Sequence, residues 1–547
     1  MPEFTISADG ALVKSILDGE VFTLNADALE IVRFLDEYKD RFFSDIPLQN
    51  SPDIRQAWEP ARLQQITILL LTPANGLEPG RLKAAAKESL LSWIEKNPFL
   101  TGLHYQSAME CGLRIPVFFY GLKLLDNLSD EDVGRVLRTI YEHAWWVARR
   151  LSLYTSLGNH TVCECVGLVF AGCLFRDRPE GKAWLEKGIE ILRQELHHQI
   201  LGDGGPAEQS LAYHRFVLDL YWLAAGFLEK NGLFDCSDWK PRLLRGESFL
   251  NAFAGGGGQF PSIGDSDDGK AVAPGIAPVR SAAQDNREGC TTFRESGYTV
   301  VRFGNDGILA FDHGPLGMPP LFNHGHADAL SITLSAGGRQ VLADPGTYRY
   351  NGDPLFRRYF KGTRAHNTVT IDGEDQAVQE TGFVWSKPYR AELTRGEDAA
   401  GTLLLEARHD GYRRLKYPVE HRRTIIFFGD SHFVIRDTFL GAGAHDFELN
   451  YHLHPDIAAK RENGWWRLGE GKAVTFIRVL KGLDFDFSSG QEEPPFGWFS
   501  PAYGAKVKSE VLSCRKRGPS AETSFLTAIS LGEPLSPEAY LERAGVL

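Results

Sequence analysis

The densest group of chemistry-bearing side chains is Asn323-His324-Gly325-His326-Ala327-Asp328, just before the strand-like run LSITLS. His324 and His326 are two residues apart, a spacing that on an extended chain directs both rings to one face. Asp344, in VLADPGTY, and His366, in RAHNTVTI, follow on or beside the next strand-like runs. Two imidazoles and a carboxylate suit a borderline divalent metal, so His326, Asp344 and His366 are the expected ligands of one zinc-like ion. The competing reading of the same spacing is a set of hydrogen-bonded histidines without metal.

Five further groups lie upstream. Gly158-Asn159-His160 opens an apolar helical run with Glu164 four residues on, on the face of His160; Asn159 could equally serve only as a cap. Gly204-Gly205-Pro206 launches a second helix through Glu208, Gln209 and Tyr213, polar and aromatic groups where a buried helix would carry apolar ones. Trp58-Glu59-Pro60 with Arg62 combines an indole with charge. Glu110 and Arg114 stand at i,i+4, read either as a helix-stabilising pair or as an arginine held by a carboxylate for an anionic ligand. PSIGDSDDG, with Asp265, Asp267 and Asp268, lacks the spacing and closing glutamate of a calcium loop and reads as a structured inter-domain loop.

The elements that must position these groups change character near residue 255. Before it, apolar residues recur at helical spacing over 24–45, 54–72, 82–96, 103–127, 130–150, 158–175, 181–200, 208–230 and 237–253, with short connections that favour antiparallel helix hairpins. After about 291, TVVRF, GILAFD, LSITLS, HNTVTI, RTIIFF, HFVIRD and DFELNYHLH read as strands. The expected organisation is a helical domain over 1–255, a linker over 256–290 and an antiparallel β-domain over 291–547, with the proline-broken stretch after about 500 the least regular.

Hydrophobic residues make up 43% and charged residues 24% of the 547, which is globular composition and excludes a disordered or collagen-like chain. A net charge of −12 without a basic run argues against non-specific nucleic-acid binding, but leaves room for an anionic ligand at a locally positive site. The seven cysteines are odd in number and irregularly spaced, as expected of reduced, mostly buried thiols. No signal-peptide pattern and no membrane-length apolar run is visible. A cytoplasmic location is therefore expected, with a periplasmic or secreted protein whose leader has been removed as the alternative. Self-association is left open.

Taken together, NHGHADALS, VLADPGTYRY and RAHNTVTIDGEDQ, with WEPARLQQ, NPFLTGLHYQSAMECGLR, GNHTVCE, GGPAEQSLAYHRF and PSIGDSDDG, resemble the heparinase II/III-like polysaccharide lyases over roughly residues 50 to 460. The resemblance implies an incomplete N-terminal (α/α) toroid followed by a C-terminal antiparallel β-sandwich that holds a metal, zinc in several members. It implies β-elimination at a uronic acid of an anionic polysaccharide. By motif match Tyr213 resembles the family's catalytic tyrosine, and Asn159 and His160 the pair facing the substrate carboxylate. His324 matches the sandwich histidine that acts with them, and Trp58, Glu110, Arg114, Glu208 and Gln209 become candidate substrate contacts. The sequence departs from the pattern at Cys163, where some heparinases carry a glutamate three residues after the histidine; Glu164 lies one further on. Two rivals stand beside the lyase: a glycoside hydrolase on the same scaffold using Glu110 and Glu208, and a non-catalytic glycan-binding or assembly protein.

Overall fold

The computed structural model describes residues 1–22, 29–48, 51–73, 76–154, 156–280, 288–304, 306–399, 401–428 and 431–545. The chain divides into two compact units whose segments interleave: Met1–Ile200 with Arg215–Leu244 and Gly269–Ala282, and Leu201–His214 with Arg245–Asp268 and Ala283–Leu547.

The first unit is helical. Its longer helices are Pro79–Lys96, Ala108–Leu124, Asp130–Arg149, Asn159–Leu174 and Pro179–Gln199, with most of Leu211–Lys230. Residues 24–28 of the first expected helix lie outside the described residues, and the helix that follows them is short, Leu29–Tyr38. Local chemistry sets the starts. Ser129 caps Asp130–Arg149 by accepting from Asp132 N at 3.1 Å, while the Asp132 carboxylate accepts from Ser129 N at 3.1 Å. Ala108–Leu124 and Asn159–Leu174 touch backbone to backbone. A Cβ on Gly112 would stand 2.8 Å from Cys163 O, and one on Gly167 would stand 2.7 Å from Gly112 O. Only glycine permits that approach, and it brings Glu110 and Arg114 onto the helix beside the one that starts with Asn159 and His160.

The second unit is built on antiparallel sheets. Eight strands run in the spatial order Ala391–Ala399, Thr402–His409, Val419–Phe428, His432–Gly441, Ser524–Ser530, Thr475–Val479, Trp465–Leu468, Ala459–Glu462. A five-stranded sheet carries Gly289–Phe293, Tyr298–Phe303, Gly307–Asp312, Ile332–Ala336 and Arg339–Leu342 in sequence order, and a four-stranded one carries Asp486–Ser489, Glu510–Pro519, Ala444–His452 and Val369–Ile371. Their apolar faces share one core in which Phe311, Leu334, Val369, Ile425, Ile435, Leu449 and Leu512 are all buried. Period-two alternation produces this arrangement: Val419–Phe428 pairs with His432–Gly441 so that Ile425 faces Ile435. The runs read as strands from sequence all contribute to these sheets. The stretch after 500 is more regular than expected, with Glu510–Pro519 and Ser524–Ser530 inside the main sheets despite its prolines. The helix Pro354–Lys361, capped by Asp353, was not expected in this half.

Residues 256–268, in the stretch expected to be a linker, and residues 201–214, expected in the helical domain, pack with the sheets; residues 281–287 lie outside the described residues. All seven cysteines are free, Cys290 being exposed. Among the described residues no helix is long and apolar enough to cross a membrane.

Candidate active site

Within the β-rich unit, the loop before Tyr213 is fixed by its own backbone. Leu201 N donates to Gly205 O at 2.8 Å, and the Asp203 carboxylate accepts from the backbone nitrogens of Glu295 and Ser296 at 2.7 and 2.9 Å. Gln209 sits at a left-handed φ of 54° and its amide nitrogen donates to Pro206 O and Ser296 O. Its amide is therefore a brace for the turn, a role different from the substrate contact expected of it; Glu208 beside it is buried. Ser210 then starts the helix: its hydroxyl donates to Asp265 O at 3.0 Å and accepts from Tyr213 N at 3.3 Å.

This places Tyr213 in the first helical turn, half-buried. Its phenol oxygen is 2.7 Å from that of Tyr350, and its ring centroid is 4.1 Å from that of His324. His324 and His326 lie in a loop, not on a strand as their spacing suggested. Gly325 between them is indispensable, because a Cβ there would collide with Leu316 O. The loop is held by Asp265 N donating to His324 O at 2.9 Å, by Ala327 N donating to Lys361 O at 3.0 Å and by the Trp385 indole donating to Gly325 O at 2.9 Å.

The two rings nevertheless converge on one carboxylate. Asp265 is fully buried and accepts from His324 Nδ1 at 3.1 Å, His326 Nε2 at 3.0 Å, Thr347 Oγ1 at 2.7 Å and both terminal nitrogens of Arg357 at 2.5 and 2.9 Å. Burial opposes its ionisation, but the Arg357 charge and the histidine hydrogen bonds outweigh burial and hold the carboxyl well below the usual carboxylate range. Arg357 also lies over the Tyr350 ring, 4.9 Å from its centroid. Asp265, Tyr350 and Arg357 were not singled out as site residues from the sequence. Nothing local in PSIGDSDDG marks its first aspartate as the one that matters.

Of the expected metal ligands, His326 and His366 come together with their rings 5.3 Å apart. The carboxylate in reach of both is Asp328: one ligand atom from each of the three lies within 4.8 Å of the others. Asp344 instead accepts from the other nitrogen of His366, Nδ1, at 2.9 Å, the orienting position behind a metal-binding imidazole. His326 Nδ1 and His366 Nε2 are buried and have no hydrogen-bond partner. Asp312, Asp328 and Asp344 line one small cavity. Burial, with the neighbouring carboxylates, pushes Asp328 well above its ordinary range, and burial first, with Asp344 contributing, pushes Asp312 up to about 8. Two orphaned imidazole nitrogens beside crowded carboxylates fit a divalent cation of the zinc type.

In the helical unit, Asn159 is buried and His160 half-buried at the first turn of Asn159–Leu174. Glu164 accepts from Ser152 N and Ser152 Oγ, each at 2.7 Å, and burial pushes its carboxyl up to about 7 against those bonds. The expected Glu110–Arg114 pair does not form. Arg62 takes Glu110 with two parallel bonds of 2.9 and 2.8 Å, the geometry a guanidinium fork prefers. Arg114 is instead fully buried, donating to His143 Nε2 at 3.2 Å and His104 O at 2.5 Å, with Trp93 4.9 Å from its guanidinium carbon. An arginine so enclosed does not present itself to an anionic ligand. Trp58 is half-buried and its indole donates to Leu103 O at 3.0 Å.

Residues 286–527 match the family model described as heparinase II/III-like, C-terminal, and residues 81–241 match that of the heparinase II/III N-terminus. The chain belongs to the heparinase II/III family. It is 25% identical over 414 residues to a heparin-sulfate lyase of Bacteroides stercoris, which covers 70% of this chain and 58% of that protein. It is 21% identical over 414 residues to a heparin-sulfate lyase of Pedobacter heparinus, covering 69% and 58%. The chain thus spans less than two thirds of the length of these curated relatives. Among solved structures, heparinase III superposes with a TM-score of 0.70 at 19% identity, over 89% of this chain and 80% of that one. The heparan sulfate lyase HepC of Pedobacter heparinus gives 0.59 at 17%, over 93% and 83%. The fold is that of the heparinase II/III family, a helical toroid followed by antiparallel sheets in a sandwich, as the sequence led us to expect.

Proposed function

We propose that this heparinase II/III-family chain is a polysaccharide lyase that cleaves a uronate-containing anionic glycan by β-elimination, with heparin-type polymers the first substrates to try. The observation that carries the reading is the group Tyr213, Tyr350 and His324, two phenols in hydrogen-bond contact and an imidazole in tilted ring contact with one of them. Elimination requires removal of the weakly acidic C5 proton, neutralisation of the neighbouring carboxylate as charge moves onto it, and protonation of the leaving glycosidic oxygen. In this reading Tyr213 protonates the leaving oxygen and, for one sugar stereochemistry, also takes the C5 proton. His324 or His160 is the base for the other, and Asn159 donates to the uronate carboxylate. Tyr350 fits as a second phenol through which the Tyr213 proton can move.

A zinc-like ion held by His326, Asp328 and His366 would supply a structural tie for the loop that carries His324. The hydrolase reading loses ground because Glu110, one of its two carboxylates, is buried with both oxygens taken by Arg62. The deciding experiment is an ultraviolet absorbance assay against heparan sulfate, heparin, hyaluronan, chondroitin, alginate and bacterial capsular polymers. Only elimination creates a conjugated 4,5-unsaturated uronate. New reducing ends without new absorbance would mean hydrolysis, and binding with no new ends would mean a glycan-binding protein.

A further inference from the structure

Asp265 joins two histidines that have different tasks in the reading above. An ionised carboxylate offers only acceptors, so each imidazole nitrogen facing it must carry a proton. Oδ2 faces Nδ1 of His324 at 3.1 Å, and Oδ1 faces Nε2 of His326 at 3.0 Å. The two rings therefore meet the carboxylate through opposite nitrogens. We propose that Asp265 is a positioning residue that sets the tautomers of both rings at once, fixing the proton of His324 on Nδ1 and that of His326 on Nε2.

The lone pair of His324 then resides on Nε2, where a base needs it. The lone pair of His326 resides on Nδ1, the nitrogen that is buried without a hydrogen-bond partner, on a ring that groups with Asp328 and His366. One carboxylate thus prepares one ring for proton transfer and its neighbour two residues away for a cation. The other contacts make this setting rigid. Arg357 grips both oxygens and Thr347 Oγ1 adds a bond to Oδ1 at 2.7 Å, so the plane of the carboxylate cannot rotate to exchange its two clients. Arg357 is itself locked, its Nε donating to Gly382 O at 2.8 Å. Asparagine is nearly the same size but offers one acceptor oxygen and one donor NH2, so it cannot accept a proton from both rings.

The proposal builds on the lyase reading for what the tautomers accomplish, but its test needs no substrate. Full-length protein labelled with 15N-histidine is examined by long-range proton–nitrogen correlation at about pH 8, above the ordinary histidine range of about 6.5. Spectra are taken as purified and after chelation of divalent ions, and His324→Gln and His326→Gln assign the two rings. The expected wild-type result is a proton on Nδ1 of His324 and on Nε2 of His326. Reversal in either ring, or a His324 protonated on both nitrogens, overturns the proposal. In Asp265→Asn at least one ring should exchange its protonated and lone-pair nitrogens; two unchanged rings in a folded variant also overturn it. A role for Asp265 limited to neutralising Arg357 would leave both tautomers where they are. Should Asp265→Asn fail to fold, the wild-type spectrum alone decides. Correct tautomers in a chain that cleaves no glycan would sink the lyase reading and leave this inference standing.

Discussion

Tyr213 differs from phenylalanine by one hydroxyl, and that hydroxyl is in contact with Tyr350. Tyr213→Phe keeps the ring packed against His324, so the melting curve should be preserved. On the proposed mechanism the elimination rate should fall roughly 10²–10⁴-fold, the usual worth of a positioned acid–base group. A folded variant with an unchanged rate would remove Tyr213 from the chemistry. At the proposed cation site the expectation is one zinc-like ion per chain by elemental analysis. His366→Ala should lose it and lower the melting temperature, because a bound ion contributes its binding free energy to the folded state. Purified wild-type protein without a stoichiometric divalent metal would end the metal assignment.

Strands and helices hold these residues through buried charge as well as apolar contact. Arg423 and Asp437 are register partners on neighbouring strands, both fully buried, joined by bonds of 2.8 and 3.1 Å. The remaining guanidinium nitrogen, Nη1, donates to Leu330 O and Asn367 O, so this pair clamps the backbone close to Asp328 and next to His366. Asp437→Ala leaves that arginine buried and uncompensated, and should cost about 3–5 kcal/mol in a denaturant titration. A loss below about 1 kcal/mol would show that the clamp is dispensable. In the helical unit Glu164 gives a pH-dependent test. Its folded pKa, about 7, lies above the ordinary glutamate value of about 4.3. Between those values the folded chain binds the extra proton, so this group's contribution to stability falls as pH rises through the window and is lost above about 7. Glu164→Gln should therefore gain on the wild type from about pH 4.5 to about pH 8 in unfolding midpoints; a constant difference would refute the buried carboxyl as the source. Elements of this regularity were legible in sequence: RTIIFF and HFVIRD are apolar runs of strand length, and the run after Asn159 announces a helix. Side-chain partnerships were legible only where they were local. Asp265 draws its donors from 59, 61, 82 and 92 residues away, and Glu110 prefers an arginine 48 residues upstream to the one four residues on.

At the scale of the whole molecule, the change from helical to strand-like periodicity near residue 255 does not coincide with where the compact units divide. The β-rich unit takes in 201–214 and 245–268, well upstream of its first long strand. These segments do specific work there. Arg302 donates to the carbonyls of Ala252 and Ala254 at 2.9 and 3.0 Å, ending the helix Lys240–Phe253 against the sheet. Phe249 packs edge-on to Phe293 at 4.7 Å, and Phe253 to Tyr298 at 5.5 Å. Asp265 supplies the carboxylate for His324, His326, Thr347 and Arg357. A fragment beginning near residue 288 would retain every strand of the three main sheets except part of the first one's cover, yet would leave Arg357 buried without its anion and the Phe293–Tyr298 face open to water. Each of those losses is worth kilocalories against a marginal total stability of about 5–15 kcal/mol. The fragment 288–547 should therefore be insoluble or melt far below the full chain, whereas a fragment 201–547 should recover much of the cooperative transition of the β-rich unit. Circular dichroism melts of the two fragments beside the intact chain test this directly. A sharp, high-temperature transition in 288–547 would mean that the upstream segments decorate the sandwich without supporting it.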